Sequence, residues 1–264
     1  MDVAHNQRWN GGRDSYRPAG EPIDTRAYEV APIPTDRVAK AFVARHHYSG
    51  TMPPARWRFG LWRGEALVGV AVFSVPQNFA TYRDLPGERA ECVDLGRFVL
   101  LDDVPANGET WFLARAFELL RREGVVTIVS FSDPSPRTSG DGTVVFQGHI
   151  GTIYQAHNAV YLGRSKAERK WMTPDGGVIP GRALTKIRHR RQGWRYATAE
   201  LVELGAEPLR AEEDAVAWVN RWVPALCRPL RHPGNHKYAW TLRRKARKHL
   251  PRGLPYPKLT GIPS

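Results

Sequence analysis

Two side chains that could transfer protons lie near predicted secondary-structure boundaries in the middle of the chain. Asp133 follows the apolar run 125–131 and directly precedes Pro134. The carboxyl end of a buried strand opens into the ligand crevice of a sheet, so a carboxylate there is well placed for chemistry. The alternative is an Asx-type turn that braces the loop. Tyr154 lies on a short predicted helix, 150–157, where a phenol could act as a general acid; the alternative is a tyrosine packed in the core.

Histidines on separate segments provide a candidate metal site. His47 and His149, together with Asp133, would form the two-histidine, one-carboxylate set that binds iron, if the fold brings them together. The alternative is that each histidine is structural. Arg97, in a predicted strand, could hold the carboxylate or phosphate of a group donor through its planar guanidinium. The alternative for Arg97 is an ion pair on the strand surface.

The elements that must position these residues alternate between strands and helices. Apolar periodicity predicts a helix, a hairpin, a strand, an amphipathic helix and a buried strand over residues 34–45, 57–75, 91–101, 110–122 and 125–131. A short helix, strands and two further helices follow, and the last predicted strand covers residues 236–242. This order predicts a mixed α+β fold in which helices flank a central sheet.

The turn that precedes the predicted helix 110–122 is a candidate donor-binding loop. Backbone N–H groups and the dipole at a helix N-terminus hold phosphate groups. Asn107 is a candidate N-cap, Gly108 follows it, and the hydroxyl of Thr110 either caps the helix or binds phosphate. Asp102 and Asp103 lie just before the loop and would repel a pyrophosphate, which counts against acetyl-CoA as the donor.

Charge is segregated along the chain. The 39 Lys and Arg residues outnumber the 26 Asp and Glu residues, giving a formal net charge of +13. No acidic residue follows Asp214, and residues 176–199 form a second acid-free stretch. Such segregation favours a polyanion-binding surface; the alternative is a basic, solvated tail. The residues predicted to bind nucleic acid are Arg188, Arg190, Arg191, Lys237, Arg243, Arg244, Lys245, Arg247 and Lys248.

Composition excludes several other classes of protein. No apolar run reaches the roughly 20 residues of a membrane span, and the polar N-terminus is unlike a signal peptide. Cys92 and Cys227 are far apart, which indicates neither a disulfide framework nor a zinc site. We therefore predict a cytoplasmic protein that binds no membrane. Residues 1–30 are predicted to form an arm without stable structure.

Six short segments carry a resemblance to a known family. They are HYS at 47–49, DLGRFV at 94–99, SDP at 132–134, GHIGTIYQA at 148–156, GNHKY at 234–238 and PYPK at 255–258. Together they resemble the Mom-like phage proteins, which convert adenine in DNA to N6-carbamoylmethyladenine and shield it from restriction. The resemblance covers roughly residues 38–258. The stretch between Asp133 and His149 is about a dozen residues longer than the family's usual link.

The resemblance implies a divergent acetyltransferase of the GNAT type. It implies an iron requirement and a donor that is acetyl-CoA or a related acyl or glycyl compound. By position, the family's functional residues fall on His47, Tyr48, Arg97, Thr110, Asp133 and Tyr154. His47, Tyr48, Asp133 and Tyr154 are therefore predicted to be catalytic, and Arg97, Asn107, Gly108 and Thr110 to bind the donor.

The combined prediction is a GNAT-like α+β core over residues 31–195, followed by a basic DNA-binding extension over residues 196–264. The predicted protein is a phage DNA-modification enzyme that transfers a small acyl-derived, carbamoylmethyl-type group to N6 of adenine in DNA and so protects the DNA from restriction. One alternative is a GNAT-fold acetyltransferase that acts on another amine, in a hypermodified pyrimidine, a tRNA or a protein. A second alternative is a DNA-binding phage protein with an inactive site.

Overall fold

The protein is described by a computed structural model that covers residues 5–76 and 78–258. The strands are β1 (His5–Asn10), β2 (Arg13–Pro18), β3 (Glu29–Pro32), β4 (Ala55–Arg63), β5 (Ala66–Ser74), β6 (Cys92–Leu100), β7 (Thr127–Ser132), β8 (Arg137–Thr138), β9 (Val144–Phe146), β10 (Val160–Arg164), β11 (Glu168–Met172), β12 (Val178–Ile179), β13 (Arg228–His232) and β14 (His236–Thr241). The helices are α1 (Asp36–His46), α2 (Gly108–Arg122), α3 (Thr152–Ala156), α4 (Gly181–Arg188), α5 (Trp194–Glu203) and α6 (Ala215–Leu226).

Seven strands form the central sheet, in the order β10-β14-β7-β6-β5-β4-β3. Neighbouring strands are antiparallel except β6 and β7, which are parallel and are connected through α2. The predicted α+β class, with a mixed central sheet and flanking helices, is confirmed. No helix within the described part of the chain is long and apolar enough to cross a membrane.

Both faces of the central sheet are covered by helices. Along β5, Ala71 and Phe73 belong to the core cluster that contains the buried stripe of α2. Val70 and Val72, which point to the opposite face, pack in a second cluster with Val43 of α1. The strand therefore reads as a continuous apolar run, because both of its alternating faces are buried.

The N-terminal region differs from the prediction. β1 and β2 pair as an antiparallel hairpin with a register that runs from His5 opposite Pro18 to Asn10 opposite Arg13. The described part of the predicted unstructured arm, residues 5–30, therefore contains regular structure. The remainder of that arm, residues 1–4, lies outside the described residues.

Two compact units divide the chain differently from the predicted core and extension. The first unit contains residues 1–134, 148–165 and 235–264, and the second contains residues 135–147 and 166–234. β14, from the predicted extension, lies inside the central sheet of the first unit.

The second unit has its own sheet and its own core. The sheet has the order β12-β11-β13, and β8 and β9 form a separate short hairpin. Trp218 and Val219 of α6 pack with Leu184 and Ile187 of α4 and Leu201 of α5 in a hydrophobic cluster. The stretch 135–147, between Asp133 and His149, belongs to this unit.

Candidate active site

The pocket of interest opens where the two parallel strands of the sheet separate. Their pairing ends at Asp94 and Val129, although β6 continues to Leu100 and β7 to Ser132. Separating strand ends leave a crevice in which ligands bind. The residues that line it are Gln7, Arg8, Trp9, His47, Tyr48, Gly96, Arg97, Phe98, Val99, Leu100, Glu109, Phe131, His149, Gly151, Thr152, Ile153 and Tyr154. Five predicted site residues from three segments therefore meet here: His47, Tyr48, Arg97, His149 and Tyr154.

His47 caps the C-terminus of α1 and is 7% exposed. Its Nδ1 accepts the backbone N–H of Ser49 at 3.1 Å and lies 2.9 Å from the Ser49 hydroxyl. Because Nδ1 accepts this N–H, the proton of the neutral ring lies on Nε2. Burial, followed by the charges of Arg97 and His149, holds the pKa of His47 well below its ordinary value. The ring is therefore a neutral hydrogen-bond donor.

Tyr48 lies at the centre of an aromatic group that walls the pocket. Its ring centroid is 4.3 Å from that of His47, 4.5 Å from that of Trp9 and 5.8 Å from that of His149. Trp9 itself is only 7% exposed. The hairpin of β1 and β2 therefore contributes a wall to the pocket.

Arg97, which is half-buried, brings a positive charge to the pocket. Its Nε donates to the backbone oxygen of Thr51 at 2.5 Å, and its Nη1 donates to that of Gly96 at 2.6 Å. Burial lowers the pKa of Arg97, whereas the nearby Tyr48 and Tyr154 hydroxyls raise it. The guanidinium is held by neutral oxygens, so its charge can act on an anionic or polarised ligand.

Tyr154 lies on α3, which begins after Gly151 in the left-handed conformation, with φ of 75°. A Cβ at Gly151 would approach the Tyr154 ring to 2.8 Å and the Tyr238 ring to 2.9 Å, so the turn requires glycine. Burial raises the pKa of the Tyr154 phenol, opposed by a hydrogen bond with Ser130 and by the charge of Arg97. Tyr154 is therefore a protonated phenol at neutral pH.

Asp133 is connected to the pocket through the backbone. Its carbonyl oxygen accepts the N–H of His149 at 2.8 Å, which fixes the start of the segment that carries α3. His149 lines the pocket, whereas Asp133 is not one of the described residues that line it.

The predicted iron site at His47, Asp133 and His149 is not formed. The described residues contain no group of three or more His, Cys, Asp or Glu side chains that could hold a metal ion. In addition, Nδ1 of His47 accepts a backbone N–H and Nε2 carries the ring proton, so the neutral ring offers no free lone pair to a metal. The residues do not fit the metal that the resemblance implies.

The predicted donor loop is closed by contacts within the protein. The Thr110 hydroxyl donates to the backbone oxygen of Asn107 at 3.2 Å, so it is engaged within the first turn of α2. Gly108 is buried, and a Cβ there would meet Val104 at 2.5 Å. Of the predicted donor-binding residues, Arg97 lines the pocket, whereas Asn107, Gly108 and Thr110 do not.

Arg8 and Glu109 are site residues that the sequence did not indicate. They form an ion pair of 2.5 Å in which both side chains are 2% exposed. Burial raises the pKa of Glu109, and its bond with Arg8 opposes the rise. The second carboxylate oxygen of Glu109, Oε2, is buried without a hydrogen-bond partner.

The predicted nucleic-acid residues occupy different environments. In the first unit, Lys237 is partly buried in β14, where its amine donates to the backbone oxygen of Thr81. Arg243 pairs with Glu91 at 3.2 Å. The exposed remainder of this group is Arg244, Lys245, Arg247 and Lys248.

In the second unit, Arg190 is held by the structure. Its Nη2 donates to the backbone oxygens of Arg210 and Glu213. Arg191 is exposed, and Arg188 is half-buried at the end of α4. Arg191 is therefore the cation of this group that is most open to a polyanion.

Solved structures with similar folds are acetyltransferases, but the likeness is low. An acetyltransferase from Bacillus subtilis, solved in complex with CoA, matches with a TM-score of 0.34 and 8% identity over 81% of this chain and 97% of that chain. A tandem GNAT protein from the clavulanic acid biosynthesis pathway, solved without acetyl-CoA, matches with a TM-score of 0.42 and 10% identity, over 82% and 99% of the respective chains. No curated protein matches the chain in sequence.

The family model gives a much more extensive match. It covers residues 27–258, which include the central sheet and every segment on which the resemblance was based. The hairpin of β1 and β2 precedes the matched range. The chain therefore belongs to the Mom protein family.

Proposed function

We propose that the protein transfers a small carbamoylmethyl-type group from an activated donor to the N6 amine of adenine in DNA. The observation that supports the proposal best is the convergence of His47, Tyr48, Arg97 and Tyr154 on one crevice. The family resemblance, which rests on the sequence alone, implies the same four residues as functional. A base modified in this way would be shielded from restriction.

The target amine is a weak nucleophile because its lone pair is delocalised into the ring. The adenine N6 edge lies in the major groove, but a base flipped out of the stack would reach a recessed pocket more easily. Transfer therefore needs an activated donor and groups that stabilise charge as it develops.

The reaction forms one N–C bond and breaks one bond between the donor carbon and its leaving group. As N6 attacks, it loses one proton to a base, while the leaving group gains one proton from an acid. Tyr154 suits the acid, since burial keeps its phenol protonated. Asp133 stays the proposed base, and His149, which lines the pocket, is a second candidate.

His47 and Arg97 suit the stabilisation of negative charge on the donor. The neutral His47 ring offers Nε2–H as a donor without placing a second cation beside Arg97. A neutral imidazole can polarise a carbonyl in this way. No step is assigned to iron, because the side chains do not form a site for it.

Tyr154→Phe tests the acid by deleting one hydroxyl. We expect the rate of modification to fall about 10²–10⁴-fold. Mass spectrometry of nucleosides from the DNA of expressing cells measures the amount of modified adenine. Tyr161→Phe is the matched control, because Tyr161 is equally buried but its hydroxyl contacts His236 at 2.8 Å. Equal modification by the two variants would contradict the role of Tyr154.

The same measurement separates the rival functions. An acetylated pyrimidine, tRNA or protein with unmodified adenine would point to another amine as the acceptor. Asp133→Asn tests the base, and modification at the wild-type level in this variant would leave His149 as the candidate.

A further inference from the structure

We propose that the N-terminal segment, residues 5–23, permanently occupies the donor-phosphate position at the start of α2, so that the donor is a small molecule without a pyrophosphate. The inference rests on the proposed function, because it concerns the donor of the same pocket. It assigns a role to a segment that precedes the family match at residue 27.

Three successive N–H groups at the start of α2 already have acceptors within the protein. The N–H of Ala106 donates to a carboxylate oxygen of Glu21 at 3.1 Å. The N–H of Asn107 donates to the backbone oxygen of Glu21 at 3.2 Å, and that of Gly108 to Pro105 at 2.8 Å. The carboxylate of Glu21 thus stands in the place of an anionic ligand at this helix N-terminus.

Cations of the hairpin bind the carbonyl oxygens of the same loop. Arg8 donates through Nη1 to the backbone oxygens of Leu101 and Val104, and through Nη2 to that of Pro105. Its Nε binds Glu109 in the first turn of α2. One guanidinium therefore joins the loop and the helix.

Asp102, which counts against a pyrophosphate at this loop, is bound by the hairpin. The Asp102 carboxylate accepts hydrogen bonds from Asn10 at 3.1 Å and from Ser15 at 2.8 Å. Arg17 binds the backbone oxygen of Asp102 and pairs with Glu21 at 2.5 Å. The Asp102 carboxylate, which would repel a phosphate, thus accepts hydrogen bonds from side chains of the protein itself.

The hairpin stays in place because its ion pair with α2, between Arg8 and Glu109, is buried. Arg8 is 3% exposed and Glu109 is 2% exposed. Withdrawal of the hairpin would leave the Glu109 carboxylate buried without its cation, which is strongly unfavourable. The ring of Trp9, tilted against that of Tyr48, also brings the hairpin to the wall of the pocket.

The space that remains suits a small polar donor. Arg97 offers a positive charge for an anionic or carbonyl oxygen. The Oε2 atom of Glu109, buried and without a hydrogen-bond partner, offers an acceptor for an N–H group of the ligand. Both residues line the pocket, and neither interaction requires a nucleotide.

Calorimetric titration of the full chain tests the inference with CoA, acetyl-CoA and inorganic pyrophosphate. We expect no binding of any of the three to the wild type at millimolar concentration. Saturable binding of CoA to the wild type would overturn the inference.

A variant tests the occupant itself. Arg17→Ala/Glu21→Ala frees the N–H of Ala106, and we expect this variant to bind pyrophosphate saturably at millimolar concentration, where the wild type shows no binding. The control is Asp24→Ala/Arg26→Ala, which removes an exposed ion pair of the next turn. Equal pyrophosphate affinity in the variant and the control would refute the role of Glu21. Circular dichroism melting verifies that both variants fold.

These titrations contain no DNA, so they do not depend on the acceptor. Unmodified DNA in expressing cells, with the expected binding pattern in vitro, would remove the proposed function and leave the exclusion of pyrophosphate donors intact. CoA binding by the wild type with modified DNA would do the reverse.

Discussion

Two groups of cations in the first unit serve different purposes. Arg8 is buried, with carbonyl oxygens and Glu109 around it. The four cations Arg244, Lys245, Arg247 and Lys248 are exposed on a turn of 3-10 helix. The first group positions a loop, whereas the second remains open to a polyanion. Arg8 is therefore not among the cations that can contact DNA.

Breaking the buried pair should produce the largest effect on stability. Arg8→Met leaves Glu109 without its cation, and we expect the free energy of unfolding to fall by about 3–5 kcal/mol. Denaturant titration measures the change. Arg26→Met is the control, because Arg26 and its partner Asp24 are exposed and a solvated surface pair contributes little to stability.

The double variant Arg8→Met/Glu109→Leu sharpens this result. It removes both charges together, so it should recover much of the lost stability. A single Arg8→Met variant as stable as the wild type would mean that the hairpin does not depend on this pair.

A buried histidine should produce an intermediate effect that depends on pH. His236 is 1% exposed, and burial, followed by the charge of Arg164, lowers its pKa. The folded protein therefore resists protonation that the unfolded chain accepts, so stability is complete above the unfolded pKa of about 6.5 and falls as the pH drops. The limiting slope is about 1.4 kcal/mol per pH unit per histidine.

Denaturant titrations between pH 7.5 and 5 at about 25 °C measure this slope. His47 and His157 also have lowered pKa values, so the wild-type slope includes several groups. His236→Gln should have a shallower slope than the wild type. An unchanged slope would exclude His236 as a contributor.

The central fold was predictable because its signals are local. Apolar periodicity located α1, β4 to β7 and α2 to within a few residues, and turn residues located the loops between them. The pocket residues His47, Arg97 and Tyr154 were identified from short sequence motifs. Apolar periodicity could not identify them, because it does not indicate which distant segments will meet in the fold.

The hairpin of β1 and β2 could not be predicted in the same way. Residues 5–18 contain no apolar run, and Trp9 and Tyr16 are the only large aromatic residues among them. Tertiary contacts of Arg8, Trp9 and Arg17 with distant residues accompany its backbone pairing. Glu109 was missed for a related reason, because an acidic residue in the first turn of a helix is ordinary and only its partner Arg8 distinguishes it.

The smallest effect on stability is expected from the exposed turn, although its effect on DNA binding should be large. Changing Arg244, Lys245, Arg247 and Lys248 to Ala should alter the free energy of unfolding by no more than about 0.5 kcal/mol, because surface substitutions contribute little.

If these cations contact phosphates in DNA, each contact releases condensed counterions. The slope of the logarithm of affinity against the logarithm of salt concentration should then flatten by about 0.9 per contact.

Arg243→Ala is the matched control. Because Arg243 already pairs with Glu91, we expect this variant to leave the salt slope unchanged. Binding isotherms on unrelated DNA sequences at several salt concentrations measure both variants, and phosphate contacts predict the same loss on every sequence. An unaltered slope in the fourfold variant would mean that DNA contacts other residues, of which exposed Arg191 is the first to test.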